Sequence, residues 1–180
     1  MASNGHWLSD LVRDIDDFPT KGVSFRDITP LLGDGKGFAR AVDELADKFA
    51  DVPADRVLGM EARGFIIAAP VAYRMGAGFV PVRKAGKLPH DTIGVDYDLE
   101  YGTDRVEIHT DAIHHGERML VIDDLIATGG TALASVELIE RAGGDVVGCG
   151  FIIDLPDLGG AARLVERGLR VHTLCAFEGE

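Results

Sequence analysis

The sequence lacks the features that mark secreted and membrane proteins. It contains two cysteines, Cys149 and Cys175, in 180 residues, and both lie in apolar, strand-like stretches where reduced core cysteines are expected. No apolar run approaches the length of a membrane-spanning helix. The segment MASNGHWLSD has no basic region followed by an apolar stretch, so we expect no signal peptide and a cytoplasmic protein.

Basic residues are also few. Lys and Arg total 18 against 30 Asp and Glu, which gives a formal net charge of -12. This balance argues against nucleic acid and against an anionic membrane surface as partners. An anionic small substrate remains possible where cations are concentrated locally. Such cations lie close to glycines and predicted strand ends: Arg63, Arg83, Lys84 and Lys87.

Two nucleotide-binding motifs are missing. The sequence has no G-x-G-x-x-G and no G-x-x-x-x-G-K-[ST], because Gly35-Lys36 and Gly86-Lys87 both lack the upstream glycine and the following hydroxyl residue. Hydrolases that bind nucleotides through a P-loop are therefore excluded, although they too can carry a pair of aspartates after an apolar strand.

The alternation of apolar patterns predicts an α/β fold. Helical patterns cover residues 8–16, 37–50, 65–75, 132–141 and 160–167, and strand patterns cover 57–60, 78–82, 106–109, 119–122, 146–153 and 169–175. Residues 18–32 are predicted to be irregular. Strands separated by helices indicate βαβ units, and hence a single-domain, mainly parallel sheet flanked by helices. Ligands of such sheets bind at the carboxyl ends of the strands.

The most informative segment runs from Met119 to Thr131. A continuous apolar run, typical of a strand buried on both faces, is followed at once by Asp123 and Asp124. A loop with the sequence T-G-G-T, residues 128–131, then leads into a predicted helix. The alternative interpretation, without any ligand, is a buried strand, an acidic turn and a capped helix.

The chemistry of this order predicts a sugar-phosphate site. Glycines let the loop backbone approach a ligand closely, and the helix start presents unpaired N–H groups and a positive dipole end to a phosphate. Threonine hydroxyls add donors. Asp123 and Asp124 repel a phosphate, so they suit ribose hydroxyls or an intervening metal ion. An anion site beside a diol site describes a ribose 5-phosphate.

Two further segments carry cations toward the same edge of the predicted sheet. Arg63 follows strand 57–60 and suits a diphosphate group, although an arginine after a strand is usually a surface residue. Residues 83–87, R-K-A-G-K, are either a solvated turn or a second group of diphosphate ligands. The stretch from 84 to about 105 is long for a connection and predicts a flexible lid, which would keep water from an electrophilic ribosyl centre.

Together these motifs resemble the type I phosphoribosyltransferases, which bind 5-phosphoribosyl 1-pyrophosphate (PRPP). The resemblance implies that Asp123 and Asp124 hold the ribose. It implies that the 5-phosphate is held by Ala127, Thr128, Gly129, Gly130 and Thr131, and the diphosphate by Arg63, Arg83, Lys84 and Lys87. It also implies Mg²⁺ that is bound mainly through the substrate rather than by direct protein ligands, and a homodimer.

The base is indicated by other segments. Residues 18–32, F-P-T-K-G-V-S-F-R-D-I-T-P-L-L, and residues 98–102, D-L-E-Y-G, resemble the members of this family that act on adenine. With R-K-A-G-K-L-P and I-D-D-L-I-A-T-G-G-T, the match covers nearly the whole chain. It implies that Phe25 stacks on adenine, that the backbone near Ser24 and Arg26 reads its edge, and that Leu155 closes the other face. Residues 1–35 then form a small N-terminal base-binding hood.

The implied reaction belongs to purine salvage. Adenine displaces pyrophosphate from PRPP and gives AMP, with Glu100 handling the N9 proton and Tyr101 covering the reacting centre from the lid. Two alternatives remain: a family member that acts on hypoxanthine, guanine, xanthine or orotate, and a PRPP-sensing regulator that binds nucleic acid. The sensor would need a basic face or an added DNA-binding domain.

The sequence departs from the family pattern at a few positions. Lys21 and Ser24 stand where relatives often carry proline and valine, and Glu61-Ala62 stands where many carry Asp-Ser. The second change removes a hydroxyl near the expected diphosphate but leaves Arg63 intact. We expect these changes to tune the reaction rather than to replace it.

Overall fold

The structure, a computed structural model, describes residues 6–99 and 102–178. The strands are β1 Arg13–Ile15, β2 Phe25–Asp27, β3 Arg56–Met60, β4 Gly78–Lys84, β5 Thr92–Leu99, β6 Gly102–His109, β7 Arg118–Ile126, β8 Asp145–Asp154 and β9 Val171–Ala176. The α-helices are α1 His6–Ser9, α2 Thr29–Gly33, α3 Gly35–Lys48, α4 Arg63–Met75, α5 Gly130–Arg141 and α6 Gly160–Glu166, and a 3₁₀ turn spans Pro156–Leu158.

Seven of the strands form one sheet in the order β5-β6-β4-β3-β7-β8-β9, and β1 and β2 form a small antiparallel sheet. The five strands from β4 to β9 in this order are parallel, whereas β6 pairs antiparallel with both β4 and β5. The predicted α/β fold with a mainly parallel sheet is therefore confirmed. In the described part of the chain, no helix has the length and apolar character needed to cross a membrane.

Helices cover both faces of the sheet, which explains the unbroken apolar run in β7. Leu120 and Ile122 pack into the core that contains the apolar residues of α3 and α4. Met119 and Val121, which alternate with them, pack on the other face with α5 and Leu164 of α6. Because all four side chains are removed from water, each position on the strand is apolar.

The topology brings two helix starts to the same edge of the sheet. Strands β3 and β7 are parallel neighbours, with Gly59 opposite Ile122. Helix α4 begins at Arg63, just after β3, and helix α5 begins at Gly130, just after β7. The segments that connect these strands to their helices therefore lie side by side at the carboxyl edge.

The predicted helix over residues 8–16 is wrong. Helix α1 ends at Ser9, and Arg13–Ile15 forms strand β1, which pairs with β2 from Arg13↔Asp27 to Ile15↔Phe25. The local apolar spacing resembles a helix, but pairing with a distant segment overrides it. The same pairing explains why residues 18–32, predicted to be irregular, contain β2 and then α2.

The extents of two other predicted elements also differ from the structure. Strand β7 does not stop at Ile122 but continues to Ile126, because Asp123 pairs with Phe151 of β8. Asp123 and Asp124 thus lie within the strand. The predicted lid loop contains β5 and the first part of β6, which pair from Thr92↔His109 to Leu99↔Gly102 and are called here the β5–β6 ribbon.

Candidate active site

A cleft of about 260 Å³ opens where β3 and β7 end. Its walls come from the connection between β3 and α4 and from the connection between β7 and α5. The lining residues are Met60, Glu61, Ala62, Arg63, Asp123, Asp124, Leu125, Ile126, Ala127, Thr128, Gly129, Gly130, Thr131 and Ala132. The structure therefore brings together Arg63, the acid pair and the whole predicted phosphate loop, which is called here the 127–131 loop.

The 127–131 loop ends at the start of helix α5. Gly129 is the N-cap of this helix with φ of 84°, and no side chain caps the start by a hydrogen bond. A Cβ at Gly129 would lie 3.0 Å from Cα of Gly160, so both the positive φ and a close backbone approach require glycine here. A helix start without a side-chain cap and next to a cleft suits an anion.

The two aspartates of β7 have different environments. Oδ1 of Asp123 accepts a hydrogen bond from the backbone N–H of Asp124 at 2.9 Å. Burial raises the pKa of Asp123 well above the ordinary value, and the neighbouring charge of Asp124 raises it further. A Cβ at Gly64 would lie only 2.3 Å from Oδ1 of Asp123, so the start of α4 packs tightly against this carboxyl group.

Arg63 connects the acid pair to the N-terminal segment. Its Nε atom donates a hydrogen bond to Oδ2 of Asp124, whose side chain is buried. Its guanidinium carbon lies 5.1 Å from the ring centroid of Phe25 in β2. One cation thus contacts both the predicted ribose acid and the predicted base-stacking ring. The peptide bond between Glu61 and Ala62, one bond before the one that precedes Arg63, is cis.

Arg83 and Lys84, at the end of β4, are each paired with a carboxylate. Arg83 Nε donates to Oε2 of Glu61 at 2.8 Å, and Arg83 Nη1 donates to the carbonyl oxygen of Lys87 at 3.2 Å. Lys84 Nζ lies 2.9 Å from Oδ2 of Asp104. None of the three predicted cations of this segment lines the cleft itself.

A second cavity, of about 230 Å³, lies beside the cleft and shares three of its residues. Met60, Glu61 and Thr131 line both cavities, and Lys84 lines the second one together with Tyr97 and Asp104. Lys84 therefore faces the space next to the 127–131 loop. Exposed Lys87, in the turn after β4, lines neither cavity.

The predicted base residues in and just before β2 make different contacts. The ring of Phe25 packs edge-on against Phe18, with centroids 5.2 Å apart. Ser24 Oγ donates to Oδ1 of Asp16 at 3.1 Å. The guanidinium of Arg26 lies over the Phe177 ring at 4.8 Å and is ion-paired with an acid of β1. The Phe25 side chain is in contact with Arg63, a residue of the cleft.

Leu155 lies next to the cleft rather than in its lining. The residue follows β8, is buried, and its backbone N–H donates to the carbonyl oxygen of Ile126 at 3.1 Å. Glu100 and Tyr101, predicted to serve catalysis from the lid, lie outside the described residues. Their roles, and those of Ser24, Phe25, Arg26 and Leu155, stay predictions.

Sequence reasoning missed two residues of the β5–β6 ribbon. The Tyr97 hydroxyl donates to Oδ2 of Asp104 at 3.3 Å, and both residues line the second cavity together with Thr131. The alternation of Ile93, Val95 and Tyr97 is the period-two pattern of a strand with one covered face, and it could have revealed the ribbon. The predicted lid segment thus lies beside the 127–131 loop.

Metal-ligating side chains are sparse around the cleft. Among residues 6–99 and 102–178, no three or more His, Cys, Asp or Glu side chains are grouped so that they could hold a metal ion. The acid pair supplies carboxylate oxygens, the kind of ligand that Mg²⁺ prefers.

The model of the phosphoribosyl transferase domain family matches residues 31–164. The chain is 58% identical over 168 residues to an adenine phosphoribosyltransferase of Nitrosospira multiformis, which covers 93% of this chain and 96% of that protein. It is 56% identical over 172 residues to the adenine phosphoribosyltransferase of Cereibacter sphaeroides, with coverage of 96% and 97%.

Solved structures give the same result. The fold is similar to adenine phosphoribosyltransferase from Rhodothermus marinus, with a TM-score of 0.92, 47% identity, and coverage of 98% of this chain and 100% of that one. It is also similar to the Saccharomyces cerevisiae enzyme complexed with an imino-altritol bisphosphate and adenine, with a TM-score of 0.89, 36% identity, and coverage of 97% and 100%.

Proposed function

The chain belongs to the phosphoribosyl transferase family, and from this premise we propose how its residues carry out the reaction. The enzyme transfers the 5-phosphoribosyl group of PRPP to adenine, with AMP and pyrophosphate as products, and so returns free adenine to the nucleotide pool. The observation that carries the proposal is the single cleft in which the 127–131 loop, the acid pair and Arg63 meet.

The 5-phosphate of PRPP binds to the 127–131 loop. Backbone N–H groups at the start of α5 and the hydroxyls of Thr128 and Thr131 donate hydrogen bonds to its oxygens. The glycines at 129 and 130 allow the phosphate to approach the backbone. These contacts hold the substrate at the end remote from the reacting carbon, so their binding energy serves orientation.

The acid pair binds the ribose hydroxyls. Burial of Asp123 and the neighbouring charge of Asp124 raise the pKa of Asp123 and so disfavour its ionisation. An ionised carboxylate accepts hydrogen bonds from a diol, and a protonated one can also donate. The pair thus orients the ribose ring so that C1′ faces the incoming base.

The leaving diphosphate is bound by cations. Arg63 lies in the cleft, Arg83 and Lys84 are the last two residues of the neighbouring strand β4, and Lys87 follows that strand. As the bond between C1′ and the diphosphate oxygen breaks, the electron pair leaves with pyrophosphate, and the cations offset the charge that develops there.

Adenine enters between Phe25 and Leu155. Phe25 stacks on the base, backbone groups near Ser24 and Arg26 read its edge, and Leu155 covers the other face. N9 forms the new bond to C1′ and loses its proton, which Glu100 accepts, while Tyr101 covers the reacting centre.

Magnesium fits this site as an ion held mainly by substrate oxygens. Asp123 and Asp124 offer carboxylate oxygens beside the ribose position, and they would contact the ion through ribose hydroxyls or water. Bound there, Mg²⁺ neutralises part of the diphosphate charge. We further propose that the enzyme works in the cytoplasm as a homodimer, as the family resemblance implies.

A base panel tests the proposed function. The purified protein is incubated with PRPP, Mg²⁺ and adenine, hypoxanthine, guanine, xanthine or orotate in turn, and the nucleotide formed is identified by chromatography. We expect AMP alone, no product without Mg²⁺, and a strong loss of rate in Asp124→Ala.

Other outcomes are equally informative. A different nucleotide would keep the fold and the cleft but would contradict the roles of Phe25 and its neighbours. PRPP binding without nucleotide formation from any base would support a sensor instead of an enzyme. A light-scattering measurement of mass at working concentration tests the dimer.

A further inference from the structure

Three successive carbonyl groups at the start of the 127–131 loop are each held by the segment that follows β8. The backbone N–H of Leu155 donates to the carbonyl oxygen of Ile126 at 3.1 Å, and the backbone N–H of Gly160 donates to that of Ala127 at 2.9 Å. Arg163 Nη1 donates to the carbonyl oxygen of Thr128 at 3.1 Å. We call residues 155–163 the brace.

Holding these carbonyls orients the N–H groups of the loop. In a trans peptide, the C=O and the N–H of the next residue point in opposite directions. Carbonyls of residues 126–128 that face the brace therefore turn the N–H groups of residues 127–129 away from it. Those three residues line the cleft, whereas Leu155, Gly160 and Arg163 do not. The brace thus lies behind the loop, and the ligand side lies in front.

Backbone packing between the brace and the loop is tight enough to transmit small shifts. A Cβ on Gly160 would lie 2.3 Å from the carbonyl oxygen of Ala127 and 2.7 Å from the backbone nitrogen of Gly129. Both contacts are with backbone atoms, which cannot move aside as a flexible side chain does. Glycine at 160 therefore sets the distance between the brace and the loop.

Arg163 is the one member of these three contacts that acts through its side chain. Its guanidinium adds a positive charge behind the loop, where it favours a dianionic phosphate in front. The side chain lies on an exposed residue of α6, so its removal leaves the core intact.

We propose that Arg163 is a positioning residue for the 5-phosphate of PRPP: it holds the Thr128 carbonyl so that the loop N–H groups face the ligand. The proposal rests on the proposed function, since it assigns the 5-phosphate to this loop. Arg163 acts through the loop and does not touch the substrate. Removal of its side chain should therefore weaken the binding of ligands that carry the 5-phosphate and leave the binding of ligands that lack it unchanged.

The test separates the two ends of the substrate. Affinities for ribose 5-phosphate and for pyrophosphate with Mg²⁺ are measured by calorimetry on the full chain, in wild type, Arg163→Ala and Arg163→Lys. Arg167→Ala is the matched control, because Arg167 pairs with Glu140 of α5 instead of the loop. Steady-state rates with PRPP and adenine are measured on the same samples.

We expect Arg163→Ala to bind ribose 5-phosphate about tenfold more weakly, as for loss of one charge-assisted hydrogen bond, with unchanged pyrophosphate affinity. KM for PRPP should rise by a similar factor while kcat changes little. Arg163→Lys should recover most of the affinity, because an ammonium can also donate to the Thr128 carbonyl. Arg167→Ala should behave as wild type.

The proposal would be overturned if Arg163→Ala bound ribose 5-phosphate and pyrophosphate more weakly by the same factor, or if its affinity for ribose 5-phosphate were unchanged. An equal loss of ribose 5-phosphate affinity in Arg167→Ala would also overturn it. The proposed function fails separately. Suppose that the wild type forms no AMP, but that Arg163→Ala binds ribose 5-phosphate more weakly than the wild type does. The positioning role then stands, at a sugar-phosphate site that serves another activity. If wild type binds no ribose 5-phosphate, both are wrong.

Discussion

Arg63 and Asp124 form an ion pair inside the cleft although they lie 61 positions apart in the sequence, with the guanidinium Nε donating to Oδ2 of the carboxylate. Arg63 is the proposed ligand of the diphosphate, and Asp124 is a proposed ligand of the ribose. The proposed sites for the two ends of the substrate are therefore directly connected.

Replacing Arg63 tests this connection. We expect Arg63→Gln to lower kcat/KM for PRPP by about 100-fold, because the leaving diphosphate loses a charged donor and the buried Asp124 loses its partner. Initial rates of AMP formation at saturating adenine measure the effect.

Arg74→Gln is the matched control for Arg63→Gln. Arg74 lies on the same helix α4 but pairs with Asp43 and Asp47 of α3 on the surface. Its substitution should leave kcat/KM within about twofold, because exposed ion pairs contribute little. Similar losses in both variants would contradict a direct role for Arg63.

The raised pKa of Asp123 predicts a pH-dependent stability effect. As the pH rises above the ordinary value of 3.8, the unfolded chain releases this proton while the folded chain retains it, so the free energy of unfolding falls until the raised pKa is passed. Asp123→Asn removes this fall in the free energy of unfolding, and its side chain keeps the oxygen that accepts a hydrogen bond from the Asp124 N–H. We therefore expect it to be more stable than wild type at neutral pH.

Thermal unfolding between pH 4.5 and 8 measures that difference. The gain of Asp123→Asn over wild type should shrink toward the acid end of the range, and AMP formation should fall because the ribose loses an ionisable partner. A difference in Tm that does not vary with pH would contradict the pKa argument.

Asp104 is expected to restrain Lys84. Its carboxylate lies 2.9 Å from Nζ and raises the pKa of Lys84, so the lysine stays charged but paired. Asp104→Asn should free the ammonium for pyrophosphate and lower the inhibition constant of pyrophosphate about threefold, a modest factor because the lysine is exposed.

Asp96→Asn provides the comparison for Asp104→Asn. Asp96 lies on the same β5–β6 ribbon but pairs with Arg105, which lies 3.1 Å away. Pyrophosphate inhibition should not change in this variant. An unchanged inhibition constant in Asp104→Asn would show that Lys84 does not reach the diphosphate.

Gly129 is expected to matter for two separable reasons, its positive φ and its contact with Gly160. Gly129→Ala should lower stability by more than the about 1–2 kcal/mol that a left-handed conformation costs and should raise KM for PRPP. Gly76→Ala isolates the first reason, since Gly76 has φ of 69° with no atom within 4 Å of its Cβ position. Urea unfolding and KM for PRPP are measured on both variants. A raised KM for PRPP in Gly76→Ala would contradict the assignment of the KM effect to the contact between Gly129 and Gly160.

Phe25 is expected to contribute to binding of the base alone. Phe25→Leu removes the stacking surface, and stacking of a base on an aromatic ring contributes about 1–3 kcal/mol. KM for adenine should rise about tenfold, whereas KM for PRPP should stay within about twofold. An equal rise in both values would indicate a general disturbance of the cleft.

Local segments of the site could be predicted because their geometry depends on neighbours in the sequence. The apolar run of β7, the glycines of the 127–131 loop and the start of α5 are contiguous, so strand, turn and helix follow from adjacent residues. The placement of Arg63 at the same edge of the sheet as the acid pair also followed, because parallel strands present their carboxyl ends at one edge.

Predictions failed where a distant partner determines the local structure. Residues 13–15 form a strand only because β2 lies beside them, and Asp123 stays in β7 only because β8 extends as far. Most of the β5–β6 ribbon was predicted as a lid loop because its sequence contains glycines and acids, residues that are depleted in strands; only residues 106–109 were predicted as a strand. Pairing with another strand supplies the backbone hydrogen bonds that no local pattern reveals.

Residue types and their spacing along the chain are enough to predict which residues can bind a phosphate, a diol and a diphosphate, and which strands carry them. They do not predict the partners of those residues, namely Asp124 for Arg63, Asp104 for Lys84 and Arg163 for the Thr128 carbonyl. These partners come from separate elements of the chain, so each pairing depends on how the elements pack together.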